Sequence, residues 1–261
     1  MDSGEVQLCK TCAAPVAGPY CVECGQKVIQ QRITMRSLSA DFFRQLTDLD
    51  RGFWHTVLML FRNPGKVIRD YIGGSTVRYA PPLRYLLIWV TISFLVYFSM
   101  GQYEQQNAEL RQFFDMEDKT DNMVFQDRWT DFVKTYSQLF ALLFVPIYAF
   151  FTRLLFRSKG LNFAEHLVGN AYFSAQTAIF SILTAPLLFL LFRSFVATSI
   201  ASFVITIAYY TVGLRSLFDQ RWAPAFFKSV LTILLGFLGY SIVVGVVGII
   251  FGIFLAVSNK M

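Results

Sequence analysis

The sequence is short of charge and of histidine, and it has no cysteine after residue 24. Charged residues make up 15% of the 261 residues, whereas hydrophobic residues make up 55%, and the mean hydropathy is +0.48. This balance excludes a purely soluble domain, because the surplus apolar surface must face lipid. The chain has 2 histidines, and these are too few by themselves for a catalytic metal site, which needs three or more protein ligands.

Sequence motifs of the common enzyme classes are also missing. There is no glycine-rich phosphate loop, no Gly-x-Ser-x-Gly turn and no His-Glu-x-x-His pair. The chain has no internal repeat and no matching pair of interrupted helices, which would have indicated a secondary transporter. These absences favour a protein that is not an enzyme.

All four cysteines lie in one stretch, 'CKTCAAPVAGPYCVECGQ', which contains two Cys-x-x-Cys pairs. Each pair can supply two sulfurs of a tetrahedral zinc site from one tight turn. We therefore predict a ribbon over residues 1–27 with a structural Zn²⁺, which leaves no open coordination position for catalysis. Two disulfides or a redox centre are the alternatives. The predicted ligands are Cys9, Cys12, Cys21 and Cys24.

The surface of this ribbon gives no indication of nucleic-acid binding. Lys10 and Lys27 are balanced by Asp2, Glu5 and Glu23, and no basic and aromatic face is present. A docking site for a protein partner is the functional interpretation, and a folded cap without a partner is the alternative.

Residues 28–82 have the pattern of interfacial amphipathic helices. In 'MRSLSADFFRQLTDLD' apolar residues recur every three or four positions, and 'GFWHTVLMLF' is too short to span a bilayer, although it could be re-entrant. A third short helix is predicted from Pro64 to Ile72, with Asn63 as its N-cap and Gly73 at its end.

Four basic residues precede or begin the first apolar segment. We predict either contact with a lipid headgroup or anionic ligand, or ordinary anchoring of the helix by positive charge. The residues are Lys66, Arg69, Arg78 and Arg84.

Residues 83–257 contain five apolar segments long enough to cross about 30 Å of hydrocarbon. The predicted fold class is therefore a membrane all-α protein with a bundle of about five transmembrane helices, interfacial helices and a small ribbon. The predicted spans are Leu83 to Met100, Leu139 to Phe156, Tyr172 to Phe192, Phe195 to Leu214 and Ser229 to Val257.

Charge in the connecting segments predicts the orientation. The segment 101–138 is acidic and is expected to be an external loop, whereas basic residues cluster before the first span. Residues 1–30 contain no apolar run typical of a signal peptide. We expect a cytoplasmic N-terminus and an external C-terminus, which would place the cysteines in a reducing compartment.

Polar residues lie where the third apolar segment begins, in 'NFAEHLVGNAYFSAQ'. Polar groups at this depth need a partner or a wet cavity. Glu165, His166 and Asn170 could contact a ligand or a metal, or they could form hydrogen bonds between helices.

The last segment is rich in glycine, and Gly248 and Gly252 form a small-xxx-small pair that allows close helix packing. This packing could occur within the bundle or between protomers of a homo-oligomer.

Several stretches resemble one uncharacterised bacterial family of multi-pass membrane proteins, which is defined by a domain of unknown function. They are 'YCVECGQ', 'DRGFWHTVLMLFRNPGKVIRDYIGG', 'RYAPPLRYLL', 'EHLV' and 'LFDQRWAPAFFKSVL'. The resemblance implies an N-terminal zinc ribbon ending in Cys-Gly-Gln, with the four cysteines as ligands, and the bacterial cytoplasmic (inner) membrane. Family members often have histidines soon after 'EHLV', where this chain has Tyr172 and Ser174. No established activity follows from the resemblance.

The leading hypothesis from the sequence is a scaffold or regulatory membrane protein whose cytoplasmic zinc ribbon docks a protein partner, in contact with membrane lipids and without nucleic acid. A small transporter or lipid-handling protein is the alternative, using Arg69, Arg78 and Arg84. An intramembrane enzyme at Glu165 and His166 is the third hypothesis.

Overall fold

The computed structural model describes residues 7–28, 32–35, 37–38, 52–101, 108–109 and 120–258. A small ribbon occupies the N-terminal part. Its strands β1 (Gln7–Leu8) and β2 (Pro15–Val16) pair antiparallel, and a bridge joins Tyr20 to Lys27. Of the predicted amphipathic stripe before residue 50, Leu38 is described and buried, and Phe42, Phe43, Leu46 and Leu49 lie outside the described residues.

Two short helices precede the spans. The first, α1 (Gly52–Arg62), buries Phe53, Val57 and Leu60, while its opposite face exposes Trp54 and Leu58. An apolar outer face on an 11-residue helix fits a position at the membrane interface.

The second, α2 (Pro64–Ile72), begins and ends where the sequence predicted. The Asn63 side chain accepts a hydrogen bond from the backbone N–H of Lys66, and the Gly73 N–H donates to the carbonyl of Arg69. Both ends of this short helix are therefore capped.

Five helices are long and apolar enough to cross a membrane, as predicted. The chain is a multi-pass membrane protein. A further helix, α4 (Thr120–Thr135), forms part of the segment that was predicted as an acidic external loop. The spanning helices are α3 (Pro82–Ser99), α5 (Ser137–Leu155), α6 (Phe163–Phe192), α7 (Phe195–Phe218) and α8 (Trp222–Ser258).

Helix α6 is the centre of the bundle. It packs against α3, α5 and α7, and α8 packs on the outside against α5 and α7. Buried aromatic side chains fill the contacts between these helices, and the hydroxyls of two of them bind other helices or loops. The hydroxyl of Tyr85 donates to the side-chain oxygen of Gln176 (2.9 Å), and that of Tyr172 donates to the carbonyl of Ala80 (2.6 Å).

Helix α6 starts nine residues before the predicted start of the third span, at Phe163 rather than Tyr172. The polar residues that suggested a boundary lie inside the helix, because neighbouring elements supply partners for them. Asn162 caps the helix: its side chain accepts from the Glu165 N–H, and the Glu165 carboxylate accepts from the Asn162 N–H.

Helix α8 also begins earlier than its apolar run, at Trp222 rather than Ser229. Cation–π contacts hold this first part: the Arg215 guanidinium lies 4.3 Å from the Trp222 ring, and the Lys228 ammonium lies 4.5 Å from the Phe156 ring. With 37 residues the helix is about 55 Å long, so it extends beyond the hydrocarbon layer.

Candidate metal centre

The first Cys-x-x-Cys pair forms a tight turn that its own backbone closes. The N–H of Cys9 donates to the carbonyl of Ala14 (2.8 Å), and the N–H of Ala13 donates to the carbonyl of Cys9 (2.9 Å). Ala13 has a φ of 62°, in the left-handed region that L-residues other than glycine seldom adopt. The turn that presents Cys9 and Cys12 is therefore defined by the backbone.

The second pair repeats this geometry twelve residues later. The N–H of Cys21 donates to the carbonyl of Gln26 (2.8 Å), and the N–H of Gly25 donates to the carbonyl of Cys21 (2.9 Å). Gly25 occupies the position of Ala13, with a φ of 71°, and here glycine adopts it without steric cost. The ribbon thus contains two copies of one cysteine-bearing turn.

The two turns bring all four sulfurs together. The Sγ atoms of Cys9 and Cys24 are 3.6 Å apart, those of Cys12 and Cys21 are 3.5 Å apart, and all four lie within 4.8 Å of one another. None of the four cysteines forms a disulfide. Four sulfurs in this arrangement could hold one metal ion, as the sequence predicted.

The thiols differ in acidity. Hydrogen bonds from the backbone at Cys12 and Thr11 lower the pKa of the Cys9 thiol to about 6, whereas burial raises that of Cys24 to about 12. Thiolates are the species that bind metals. A metal ion that enters the cluster must therefore displace a proton from Cys24, and binding releases protons.

The side chain of Gln26 joins the ribbon to the membrane bundle. Its Oε1 accepts from the N–H groups of Thr76 and Val77, both at 3.0 Å, in the loop between α2 and α3. Its Nε2 donates to the Thr76 hydroxyl (3.1 Å) and to the Lys27 carbonyl (2.8 Å). The Thr11 hydroxyl, from the first turn, lies 3.0 Å both from Gln26 Oε1 and from the hydroxyl of Ser75. We call this set of contacts the Gln26 joint.

The family resemblance included Gln26 in the Cys-Gly-Gln end of the ribbon, two residues after Cys24, but nothing in the sequence indicated what its side chain contacts. Its carbonyl closes the cysteine turn and its side chain binds the bundle, and it is 3% exposed. The same residue thus links the metal centre to the loop that leads into the first spanning helix.

Replacement of Gln26 by methionine should release the ribbon from the bundle without emptying the metal centre. Methionine keeps the chain length, but it leaves the N–H groups of Thr76 and Val77 without an acceptor. At about 1 kcal/mol for each net hydrogen bond, the loss of three bonds should raise amide exchange at these positions by about 100-fold. Hydrogen-exchange mass spectrometry measures the amide exchange of Thr76 and Val77, and the metal content is determined on the same sample.

The exposed Gln138 offers a matched control. In the Gln138→Met variant, amide exchange at Thr76 and Val77 should be the same as in the wild type. Unchanged protection of Thr76 and Val77 in Gln26→Met would mean that the Gln26 joint does not hold the ribbon.

The four basic residues that precede or begin the first span have different surroundings in the structure. Arg69 donates from Nη1 to the carbonyls of Ser216 and Leu217 at the end of α7, and Arg78 donates from Nε to Nε2 of His55 (3.4 Å). Arg84 is 5% exposed at the start of α3, and Lys66 is exposed. Contact of any of them with lipid or an anionic ligand stays a prediction.

Glu165 is paired by two segments of the protein. Its Oε1 accepts from Nε of Arg32 (2.9 Å), and its Oε2 accepts from Nη2 of Arg32 and from the Asn162 N–H (2.7 Å). The carboxylate is buried, whereas the Arg32 side chain is 60% exposed. The arrangement attaches the segment after the ribbon to the start of α6.

His166 and Asn170 are both 2% exposed. The Asn170 amide nitrogen donates to the hydroxyl of Thr152 and to the carbonyl of His166, both at 2.9 Å. Within the described part of the chain, Nε2 of His166 and Oδ1 of Asn170 have no hydrogen-bond partner. Contact of these residues with a ligand stays a prediction.

Four glycines of α8 pack against other helices of the chain. A Cβ atom on Gly248 would lie 3.6 Å from the Trp129 ring, and one on Gly252 would lie 3.3 Å from the Phe125 ring, both on α4. Gly236 and Gly239 face Tyr148 and Ile147 of α5 in the same way. The small-xxx-small pair therefore serves contacts inside one molecule, and a homo-oligomer stays an untested prediction.

These features define an integral membrane protein with five candidate spans and a four-cysteine ribbon joined to them. A family model described as protein of unknown function (DUF3667) matches residues 50–94. The match, together with the apolar helices, fits the uncharacterised membrane family that the sequence resembles. It begins after the cysteines, and it includes the loop that binds Gln26.

Neither a curated protein nor a solved structure matches the chain.

Proposed function

We propose that this protein is a bacterial inner-membrane scaffold or regulatory protein whose zinc ribbon lies on the cytoplasmic side and docks a protein partner. The observation that carries the proposal is the exposure of large apolar side chains on a ribbon that is held at the bundle by the Gln26 joint. Val22 is 94% exposed, Leu8 59% and Tyr20 58%. Exposed apolar groups on so small a unit are typical of contact surfaces.

The sulfur arrangement supports zinc as the metal. Zn–S bonds of about 2.3 Å in a tetrahedron place the sulfurs about 3.8 Å apart, close to the separations of 3.6 Å between Cys9 and Cys24 and 3.5 Å between Cys12 and Cys21. Four thiolates complete the coordination, so the ion is structural. Its role in the proposal is to hold Val22, which lies between two ligands, in a fixed position.

Substitution of Val22 by glutamate should abolish partner binding and keep the metal. A charge at this position disrupts an apolar contact, but it leaves the four sulfurs in place. The measurement is quantitative mass spectrometry of proteins that co-purify with each variant in mild detergent, with zinc content determined in parallel. We expect a specific set of proteins to fall at least tenfold in Val22→Glu.

The control is Ala17→Glu, which puts the same charge on another exposed ribbon position and should retain the set. If the wild type and Val22→Glu co-purify with the same proteins, and both keep their full zinc content, docking is contradicted and the ribbon is a structural cap.

The alternative function, lipid handling, is favoured by a cavity between the spanning helices and not by the basic residues that first suggested it. This cavity supports a bound lipid independently of the ribbon.

A further inference from the structure

A cavity of about 390 Å³ lies inside the bundle, between helices α3, α5, α6, α7 and α8. Its wall is built from the last turns of α3 and α6 and the first turns of α7. Because α3 and α6 both start at the ribbon end, the cavity lies in the half of the bundle farther from the ribbon. Its volume is in the range of sites for small ligands.

Among the residues that the structure describes, the wall combines aromatic rings with hydroxyl groups and has no charged side chain. Phe144, Phe189 and Phe195 are among the rings. Serine and threonine side chains from three helices add polar atoms at membrane depth, where such atoms need partners. These residues are Ser93, Ser181, Thr198, Ser199, Ser202 and Thr206.

The hydrogens of several of these hydroxyls are already used within their own helices. Ser93 donates to the carbonyl of Val90 (2.8 Å) and Ser181 to that of Thr177 (3.0 Å). Thr198 and Thr206 donate in the same manner to carbonyls one turn earlier, at 2.8 Å and 3.0 Å. A hydroxyl that donates locally keeps lone pairs that can accept. These four hydroxyls therefore offer acceptors, and a ligand that brings donors complements them.

We propose that this cavity binds a neutral membrane lipid whose polar end carries free hydroxyl groups. The described lining has no cation to offset the desolvation of a phosphate or a carboxylate, and this disfavours an anionic ligand. The rings and aliphatic residues accommodate an acyl chain, and the serine and threonine oxygens accept from the lipid hydroxyls. A ligand of this kind reaches the site from the bilayer itself. The proposal is independent of the ribbon and of partner docking.

The test uses monoolein, which has two free hydroxyls on a glycerol ester, and methyl oleate, which has the same acyl chain and no hydroxyl donor. The full chain is released from detergent in the presence of each compound. Native mass spectrometry then counts the molecules of that compound that stay bound to the chain. We expect retention of about one monoolein per chain and at least tenfold weaker retention of methyl oleate, since each net hydrogen bond corresponds to about fivefold in affinity.

Two pairs of variants locate the site. Ala185→Phe puts a ring into the cavity wall and should abolish monoolein retention, whereas Ala208→Phe puts the same ring on the exposed face of α7 and should have no effect. The double variant Thr198→Val with Thr206→Val should weaken binding by about 25-fold. Its control is Thr184→Val with Thr211→Val, because those hydroxyls also donate within their helices but do not line the cavity.

Ser202→Leu is a second way to fill the cavity if Ala185→Phe does not fold. Equal retention of the two lipids would overturn the proposal, because the hydroxyls would then not select the ligand. Equal monoolein retention in the wild type and in the folded filled variants would also overturn it, because the lipid would then be bound elsewhere on the surface.

Discussion

Replacement of Cys21 and Cys24 together by serine should abolish metal binding by the proposed zinc site and separate the ribbon from the bundle. Only Cys9, Cys21 and Gln26 are buried among residues 8–28, so these residues have no apolar core to hold them folded without a metal. Structural zinc contributes about 10 kcal/mol or more to the folding of such units. We expect zinc content to fall from about one ion per chain to none.

The same variant should lose the Gln26 joint, because the turn that closes on the Gln26 carbonyl is the turn that carries Cys21 and Cys24. Amide exchange at Thr76 and Val77 should rise at least as much as in Gln26→Met. The two variants separate metal binding from attachment: Gln26→Met keeps zinc and loses protection, whereas the double serine variant loses both. Full protection of Thr76 and Val77 in a zinc-free sample would show that the ribbon does not need a metal to fold.

Replacement of Gly65 by alanine should destabilise the bundle severely. A Cβ atom at this position would lie 2.3 Å from the backbone carbon of Ser216 and 2.4 Å from the backbone nitrogen of Leu217. These are main-chain atoms of α7, so no side chain can rotate away to make room. Because Asn63 and Arg69 of the same region bind Ser216, α2 cannot easily move either. We expect a loss of about 3 kcal/mol or more, and a thermal midpoint lowered by several degrees.

The matched control is Gly245→Ala in α8, where a Cβ atom would meet nothing within 4 Å. Alanine is favoured over glycine inside a helix by about 1 kcal/mol, so this variant should be as stable as the wild type or slightly more stable. The same chemical change therefore has opposite signs at the two positions. Thermal unfolding in detergent, at matched insertion levels, provides the comparison. A Gly65→Ala variant with wild-type stability would contradict the close contact of α2 with α7.

Local patterns predicted most of the architecture. Each span depends on the hydropathy of about twenty consecutive residues, and all five were found, with ends that agreed best where the apolar run itself ends. The capped helix from Pro64 to Ile72 depends on residues at its own ends. The sulfur cluster depends on two short turns of the same design. In each case the residues that determine the feature are close together in the sequence.

The starts of α6 and α8 were predicted too late because the partners of their first residues lie in other elements. Hydropathy counts a polar residue against a span, but Glu165 is neutralised by Arg32, which comes from far earlier in the chain. At the start of α8, the Arg215 guanidinium makes a cation–π contact with the Trp222 ring. These partners belong to other elements, and a window moved along the sequence does not include them.

The sequence by itself determined that this is a membrane protein with five candidate spans and a cluster of four cysteines, because hydropathy and turn formation act over short stretches of chain. Only the tertiary structure decided what these parts contact. It placed Gln26 against Thr76, put Gly65 against the backbone of α7, bound Arg69 to a carbonyl at the end of α7 and formed a partly open, hydroxyl-lined cavity among five helices. These features arise where packing brings distant segments within a few ångströms of each other, and contacts of that range leave no periodic pattern along the chain.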